Sequence, residues 1–199
     1  MGARLMDAVM SDLTITASFP LGEFNAHDGD GRAEWPPAPA RVLAAMLSVA
    51  HGLGEGVAEV EALFRCPPPR ITAPPAGERQ IGYRRWVPVN NEVKTAKNGS
   101  PTGIIDRNDR LLEKQAKDPE RGMMVGTDPS DVVRWTFAAD DRVDLGVLQK
   151  VARSVAYLGR PTSPVLLDVV DGADEAPPHH SRWEPDPLGW IQLRVGTEG

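Results

Sequence analysis

The chain of 199 residues is long enough for one domain with a large insertion, and its hydrophobic fraction of 41% suffices for a core. A formal net charge of −6 argues against indiscriminate nucleic-acid binding by the whole surface. The single cysteine excludes an internal disulfide, and no segment approaches the roughly 20 apolar residues that span a bilayer. We therefore expect a cytoplasmic protein without a membrane partner.

The first part of the chain predicts a leader followed by a strand. We expect residues 1–12 to be a disordered leader and residues 13–199 to form a single domain. Apolar and polar residues alternate at the start of Leu13–Phe24, which predicts a half-buried strand. The apolar positions are Leu13, Ile15 and Ala17.

The proline-rich stretch "EWPPAPARV" precedes the first predicted helix. Proline lacks a backbone N–H and fits only the first helical turn, so these prolines mark a rigid N-terminus. We call Trp35–Pro39 the proline-rich rim; it either packs the corner between strand and helix or shapes an edge that faces a partner. Gly52 and Gly54 provide the helix stop. Between rim and stop, the apolar face consists of Val42, Leu43, Met46, Leu47 and Ala50.

The middle of the chain loses its apolar pattern. Extended segments are predicted around Arg70–Ala73 and at Arg79–Val89, before an insertion of about residues 90–130. Within this insertion only a short helix at Arg107–Lys117 fits the sequence. A loop of this length in a compact domain is usually functional or disordered.

Regular structure returns in the last third. The sequence predicts strands at Asp131–Asp140 and Pro164–Val170, and a final extended piece at Leu188–Val195. The intervening helix is predicted to have Asp144 as its N-cap and Gly159 as its stop. Its apolar stripe is formed by Leu148, Val151, Ala152 and Val155.

The order β, α, β, β, α, β predicts an α+β fold with a ferredoxin-like, split βαβ core. RNA-recognition modules use the same plan of one sheet and two helices. The expected additions to this core are the long basic insertion and a C-terminal strand or hairpin.

Basic residues concentrate between Arg79 and Arg121, where ten basic and six acidic side chains give a net charge of +4. The rest of the chain then carries −10, and a basic segment on an acidic protein can follow a phosphate backbone. The alternative to an RNA-binding insertion is a solvated, partly disordered loop.

The segment "YRRW", Tyr83 to Trp86, pairs two guanidinium groups with two aromatic rings, on which exposed bases stack. Strand alternation sends Tyr83 and Arg85 to one face, and Arg84 and Trp86 to the other, so only one pair can face RNA. For each arginine the alternative is a surface ion pair. In the basic segment, the RNA-binding candidates are Tyr83, Arg84, Arg85, Lys94, Lys97, Arg107, Arg110, Lys114 and Lys117.

Histidines are the residues on which a nuclease would depend, since RNA cleavage without metal needs a general base and a general acid. The candidates are His27, His179 and His180. His51 instead lies at the end of a helix, where a protonated imidazole interacts favourably with the helix dipole. We expect a non-catalytic chain in which none of these residues is catalytic.

No metal site and no cofactor are expected. The segment "HDGDG" lacks the third acidic position and distal glutamate of a calcium loop, so it predicts a polar turn. Cys66 has no partner for zinc, and nucleotide-binding and hydrolase motifs are missing from the sequence.

Three segments in this order resemble a known family: "ITASFPLGEFNAH" (Ile15–His27), "EWPPAPARVLAAMLSVAHG" (Glu34–Gly52) and "VARSVAYLGRPTSPVLLDVV" (Val151–Val170). They are similar to the N-terminal, Cas-five-like half of the Cas-five/Cas-six fusion protein of type I-U (now I-G) CRISPR systems. The resemblance is strongest at Glu34-Trp35-Pro36-Pro37-x-Pro39 with Arg41, and at Tyr157-Leu158-Gly159-Arg160, and it covers about Leu13 to Val195.

The resemblance implies a RAMP-type protein with a ferredoxin-like core. Its family role is to hold the 5′ handle of a CRISPR RNA (crRNA) inside a Cascade effector complex, beside the backbone and large subunits. The basic insertion then corresponds to a thumb that inserts between guide nucleotides. Arg160, beside Gly159, lies where RAMP proteins place a glycine-containing loop against RNA, so the resemblance adds Arg41 and Arg160 to the RNA-binding candidates.

Members of this family continue into a Cas-six-like half that cleaves the precursor RNA. This chain ends at Gly199, near where that half would begin, so the implied role is RNA binding and assembly rather than cleavage. The alternatives are a CRISPR RNA endonuclease that uses the histidines, and an adaptor that binds only protein.

Overall fold

The computed structural model describes residues 10–79, 85–88, 114–117, 122–140, 143–188 and 193. The chain divides into two compact units, a larger one of Met1–Arg79 with Arg121–Gly199 and a smaller one of Gln80–Glu120. Residues 10–12, assigned above to the leader, belong instead to the first strand, and residues 1–9 lie outside the described part. Residues 122–130, assigned above to the insertion, belong to the larger unit.

The described residues form ten strands and three helices. In chain order they are β1 (Met10–Ser18), β2 (Glu23–Phe24), α1 (Pro39–Leu53), α2 (Val57–Arg65), β3 (Arg70–Ala73), β4 (Ala76–Glu78), β5 (Arg85–Pro88), β6 (Lys114–Lys117), β7 (Met123–Val125), β8 (Val133–Asp140), α3 (Leu145–Arg153), β9 (Leu166–Asp171) and β10 (Ser181–Trp183).

The larger unit is built on a five-stranded sheet with the order β10-β3-β8-β1-β9, in which every pair of neighbours is antiparallel. Strands β1 and β3, joined through α1 and α2, lie on either side of β8. Strands β8 and β9, joined through α3, lie on either side of β1. The chain therefore has the predicted α+β character, with two interleaved βαβ units.

The register of this sheet aligns one row of apolar side chains. Ile15 lies opposite Trp135 on one side and Val169 on the other, and Trp135 in turn lies opposite Ile71. All four side chains are buried, and they join the core with the apolar faces of α1 and α3. Along each strand the residues two apart share a face, so this row defines the core face of the sheet.

Helix α1 follows the predicted pattern closely. Four of its five predicted core positions are buried, and only Leu47 is half-buried. The helix ends at Leu53 because Gly54, with φ of 72°, adopts the left-handed conformation and donates its N–H to the carbonyl of Ala50. Gly52 lies inside the helix, so the predicted stop is at Gly54 alone.

Several elements differ from the prediction. Helix α2 and strands β4, β7 and β10 were not predicted. Helix α3 ends at Arg153, with Ser154 as its C-cap, rather than at Gly159. The predicted helix at Arg107–Lys117 is wrong over its last four residues, which form β6. The other seven residues of that segment lie outside the described part.

Two predicted extended segments are described only in part. Of Arg79–Val89, the described residues 85–88 form β5, which agrees with the predicted strand. Of Leu188–Val195, only residues 188 and 193 are described. Within the described ranges, no helix has the length and apolar character needed to cross a membrane.

Candidate functional site

The three segments that carry the family resemblance meet at the peptide Phe24–His27, which we call the 24–27 junction. The backbone N–H of Asn25 donates to Ser163 Oγ at 2.7 Å in a buried hydrogen bond. The backbone N–H of Glu34 donates to the carbonyl of Ala26 at 3.1 Å. The first segment is thereby linked to each of the other two, which lie far apart in sequence.

Gly159 allows the third segment to approach this junction. Its φ of 83° is in the left-handed region, and a Cβ here would lie 3.0 Å from the carbonyl oxygen of Asn25 and 3.1 Å from the Cβ of Ala26. The loop after α3 is thus held at Gly159 and Ser163, while Tyr157 keeps 46% of its surface exposed. Arg160, an RNA-binding candidate on this loop, is partly exposed.

The second segment is anchored by the buried carboxylate of Glu34. Its Oε2 accepts from Arg41 Nη2 at 2.6 Å, and its Oε1 accepts from Arg41 Nε at 3.0 Å and from the backbone N–H of Ala38 at 2.8 Å. The hydrogen bonds to Glu34 raise the pKa of Arg41. Arg41 also donates to the carbonyl of His27 at 3.3 Å. The guanidinium proposed above for RNA therefore binds the protein's own chain.

The proline-rich rim packs the corner between strand and helix, the first of its two predicted roles. The indole ring of Trp35 lies 6.4 Å from that of Phe19 and 6.1 Å from that of Phe24, measured between ring centroids. Its Nε1 donates to the carbonyl of Pro74 at 3.3 Å. The buried Trp135 of β8 donates its Nε1–H to the carbonyl of Pro37 at 3.0 Å.

Arg79 belongs to this region rather than to the basic insertion. Its Nη1 lies 2.9 Å from Glu23 Oε2 and donates to Asn25 Oδ1 at 3.4 Å. The smaller unit, Gln80–Glu120, holds eight basic and six acidic residues and carries a net charge of +2. The basic excess of the insertion is therefore smaller than the count between Arg79 and Arg121 indicates.

The smaller unit contains an antiparallel pair, β5 with β6. Arg85 lies opposite Lys117, and Pro88 lies opposite Lys114. The remaining RNA-binding candidates of the insertion lie outside the described residues; they are Tyr83, Arg84, Lys94, Lys97, Arg107 and Arg110.

The other face of the five-stranded sheet is covered by residues 172–180, which connect β9 at one edge to β10 at the other; we call them the covering segment. Thr14 and Arg134 alternate with core residues and so point to this face, yet they are only 0% and 8% exposed. Thr14 Oγ1 donates to the carbonyl of Gly172 at 2.8 Å, and Arg134 Nε donates to Asp174 Oδ2 at 2.5 Å. This face of the sheet is therefore partly closed at Thr14 and Arg134.

The covering segment ends in a cluster of ionisable side chains, Asp131, His179 and His180, which we call the 131/179/180 cluster. One ligand atom from each residue lies within 4.8 Å of the other two. Both ring nitrogens of His180 are buried without a hydrogen-bond partner within the described ranges. The desolvation lowers the pKa of His180, with Arg134 contributing further. The sequence analysis named both histidines but not Asp131.

The carboxylate of Asp131 is held in place by its own turn. Asp128 donates its backbone N–H to Asp131 Oδ2 at 3.2 Å, and a Cβ at Gly126 would overlap the Asp131 carboxylate. Asp128 Oδ1 in turn accepts from the backbone N–H and the hydroxyl of Ser130, which lowers the pKa of Asp128. The position of Asp131 is therefore fixed by the turn before β8.

The other histidine candidates lie outside this cluster. His27 is exposed, and its Nδ1 lies 3.0 Å from the carbonyl of Asp28. His51 is exposed in the last turn of α1. The predicted turn at "HDGDG" is formed by Asp28 Oδ1, which accepts the backbone N–H groups of Asp30 at 2.9 Å and Arg32 at 2.8 Å. These bonds lower the pKa of Asp28.

Comparison with known proteins adds no relative to this description. No protein-family model matches the chain, and no curated protein matches its sequence.

Proposed function

We propose that the chain is an RNA-binding structural subunit of a type I-G CRISPR effector complex. In this role it holds the 5′ handle of the crRNA and contacts the neighbouring backbone and large subunits in the cytoplasm. The observation that carries the proposal is the 24–27 junction. All three segments that resemble the family's Cas-five-like half contribute contacts there, through Asn25 with Ser163 and Ala26 with Glu34.

The order of the strands supports a ferredoxin-like core. If β1, β3, β8 and β9 are taken as the first to fourth strands, their spatial order is second, third, first, fourth. This is the order of a split βαβ arrangement, with one helical connection after the first strand and one after the third. Because that plan serves many functions, the fold alone does not select RNA as the ligand.

The surfaces assigned to RNA are the smaller unit and the loop after α3. The sheet face is not assigned to RNA, because the covering segment closes part of it. Arg41 is not assigned to RNA either, because it is bound to Glu34. The smaller unit carries +2 on a chain whose remaining residues carry −8, and its ribbon has Arg85 opposite Lys117. Phosphate contacts from such residues give affinity and register without sequence readout.

The test is ultraviolet crosslinking inside the assembled complex. The chain, tagged for purification, is co-expressed with the other effector subunits and a CRISPR array, and the RNA crosslinked to this chain is sequenced. We expect a uniform crosslink at the repeat-derived 5′ handle. A complex that assembles without any crosslink to this chain would overturn the proposal and leave the adaptor that binds only protein.

A charge-matched pair of variants separates RNA contacts from general electrostatics. Arg84→Gln with Arg85→Gln removes two positive charges from the smaller unit. Lys150→Gln with Arg153→Gln removes two from α3, where both residues form exposed ion pairs. If the smaller unit contacts phosphates, the first variant weakens binding of a handle RNA. The slope of log affinity against log salt concentration then becomes shallower by about 1.4. Equal effects of both variants would refute this assignment.

The endonuclease alternative has one favourable observation, the closeness of His179, His180 and Asp131. Against it, both ring nitrogens of His180 are buried, whereas a general base must reach the 2′-hydroxyl of its substrate. Repeat RNA incubated with the chain in the presence of a chelator tests this alternative. Cleavage that is lost in His179→Ala and His180→Ala, but kept in His51→Ala, would establish it.

A further inference from the structure

We propose that the 131/179/180 cluster binds one divalent first-row transition metal ion, with Zn²⁺ as the best match. This inference goes beyond RNA binding and does not depend on it. Two imidazoles and one carboxylate form a common donor set for zinc and for its neighbours in the first transition row. The three side chains come from two parts of the chain, since Asp131 precedes β8 and His179 and His180 precede β10.

The distances are close to those that a metal ion requires. If all three ligand atoms were separated by the full 4.8 Å, a point equidistant from them would lie about 2.8 Å from each. Zinc–nitrogen and zinc–oxygen bonds are about 2.0–2.2 Å long, so inward movements of roughly 0.6–0.8 Å complete the coordination. Because the Asp131 carboxylate is held by its own turn, we expect the two imidazoles to make most of this movement.

The surroundings of His180 point to a missing partner. Its two ring nitrogens are both buried, and neither has a hydrogen-bond partner among the residues that the structure describes. Buried imidazole nitrogens are normally paired, because the loss of water is otherwise uncompensated. A metal ion bound to one nitrogen would satisfy it, and no group in the described part of the chain does so.

The nearby charges are compatible with a bound cation. Asp131 is held by the backbone N–H of Asp128, and the carboxylate of Asp128 lies close enough to His179 to interact with it electrostatically. Arg134 is the positive group near His180, and its guanidinium is engaged by Asp174 and by the carbonyl of Val132. His179 is exposed, which leaves a fourth coordination position for water.

Metal binding at this position would fasten the covering segment to the sheet. His179 and His180 end that segment, and Asp131 lies in the turn before β8, so one ion connects the two. Because the ion binds the folded chain better than the unfolded one, it should raise the unfolding temperature. The site therefore predicts both stoichiometric binding and stabilisation.

The experiment uses the full chain, purified without a polyhistidine tag and stripped with a chelator. Zn²⁺ is titrated in competition with a chromogenic chelator, and Co²⁺ is titrated alone while its visible absorption is followed. We expect one Zn²⁺ per chain, a Co²⁺ spectrum typical of four-coordinate sites, and a rise in unfolding temperature with Zn²⁺. Absence of stoichiometric binding at micromolar Zn²⁺ would overturn the proposal.

Variants locate the ion. His179→Ala, His180→Ala and Asp131→Asn should each weaken Zn²⁺ binding at least tenfold and abolish the thermal shift, whereas His27→Ala and His51→Ala should behave like the parent chain. His179 is exposed, so its variant keeps the test valid even if His180→Ala fails to fold. Unchanged Zn²⁺ affinity in His179→Ala and Asp131→Asn would overturn the proposal. RNA crosslinking is measured separately, so either proposal can fail alone.

Discussion

Glu34→Ala is the substitution that tests most directly how the first helix is held. Glu34 has 5% of its side chain exposed, and its carboxylate accepts two hydrogen bonds from Arg41 and one from the backbone of Ala38. Alanine removes all three acceptor contacts and leaves a guanidinium without its main counter-charge. We therefore expect a large loss of stability, although the substitution lies in the proline-rich rim and not in the apolar core.

The magnitude follows from the burial of the two partners. Removing one member of a fully buried ion pair costs about 3–5 kcal/mol. The Arg41 side chain is 27% exposed, and water can compensate part of the loss, so we expect about 2–3 kcal/mol here. For a chain of this size that corresponds to a fall in the unfolding temperature of roughly 4–12 °C.

The assay is urea unfolding followed by circular dichroism, combined with a double-mutant cycle. Glu34→Ala, Arg41→Met and the double variant are compared, and we expect the double variant to lose at least about 1 kcal/mol less than the sum of the single losses. Asp12→Ala is a matched control, because Asp12 Oδ2 also lies 2.6 Å from an arginine nitrogen, but in a pair with 38% and 48% exposed side chains. That control should lose less than about 1 kcal/mol. Equal losses in Glu34→Ala and Asp12→Ala, or an additive cycle, would refute the reasoning.

Three further predictions concern single positions. Asp144→Ala removes the carboxylate that accepts the backbone N–H of Val147 at the start of α3, and should cost about 1 kcal/mol in urea unfolding; no change would mean that the cap is not stabilising. Gly159→Ala should lower the free energy of unfolding by about 1–3 kcal/mol. The control Gly172→Ala should cost less, because Gly172 has a similar φ of 84° but open space around it. Equal losses in the two variants would contradict the close approach of Gly159 to the junction. Asp28 has a lowered pKa, so its stabilising contribution is present above the ordinary aspartate pKa and lost as the pH falls through the lowered value. Asp28→Asn should therefore weaken the acid dependence of the urea midpoint, and an unchanged acid limb would contradict this.

The sequence pattern predicted β1, β3, β8 and β9 of the central sheet, but not β10 at its edge. In the predicted strands the local pattern and the burial agree. Leu13, Ile15 and Ala17 alternate in the sequence and are all buried in β1. Helix α2 was not predicted, although Val60 and Leu63 are buried at helical spacing. It has nine residues, and its N-cap is Gly56 in a left-handed conformation, so the side-chain N-cap that usually marks a helix start is absent.

The candidate sites could be predicted only in part because they depend on long-range pairing. Asp131 is close to His179 and His180 because β8 and β10 both pair with β3 and both begin near its end. A sequence pattern of period two or 3.6 contains no information on such neighbours. Arg41 is a different case, because its partner Glu34 lies only seven residues earlier; the sequence left both an ion pair and an RNA contact open for this side chain.

The covering segment connects the two proposals, since it is acidic and ends at the 131/179/180 cluster. Asp174 is bonded to Arg134 on the non-core face of the sheet, and the charges of Asp174 and Glu175 oppose the approach of phosphate to this segment. If Zn²⁺ fastens this segment, RNA crosslinks should fall on the smaller unit and on the loop after α3, and they should be the same with Zn²⁺ and with chelator. Crosslinks to residues 172–180 that appear only with chelator would instead mean that the segment is a displaceable cover and that the sheet face binds RNA once the ion is removed.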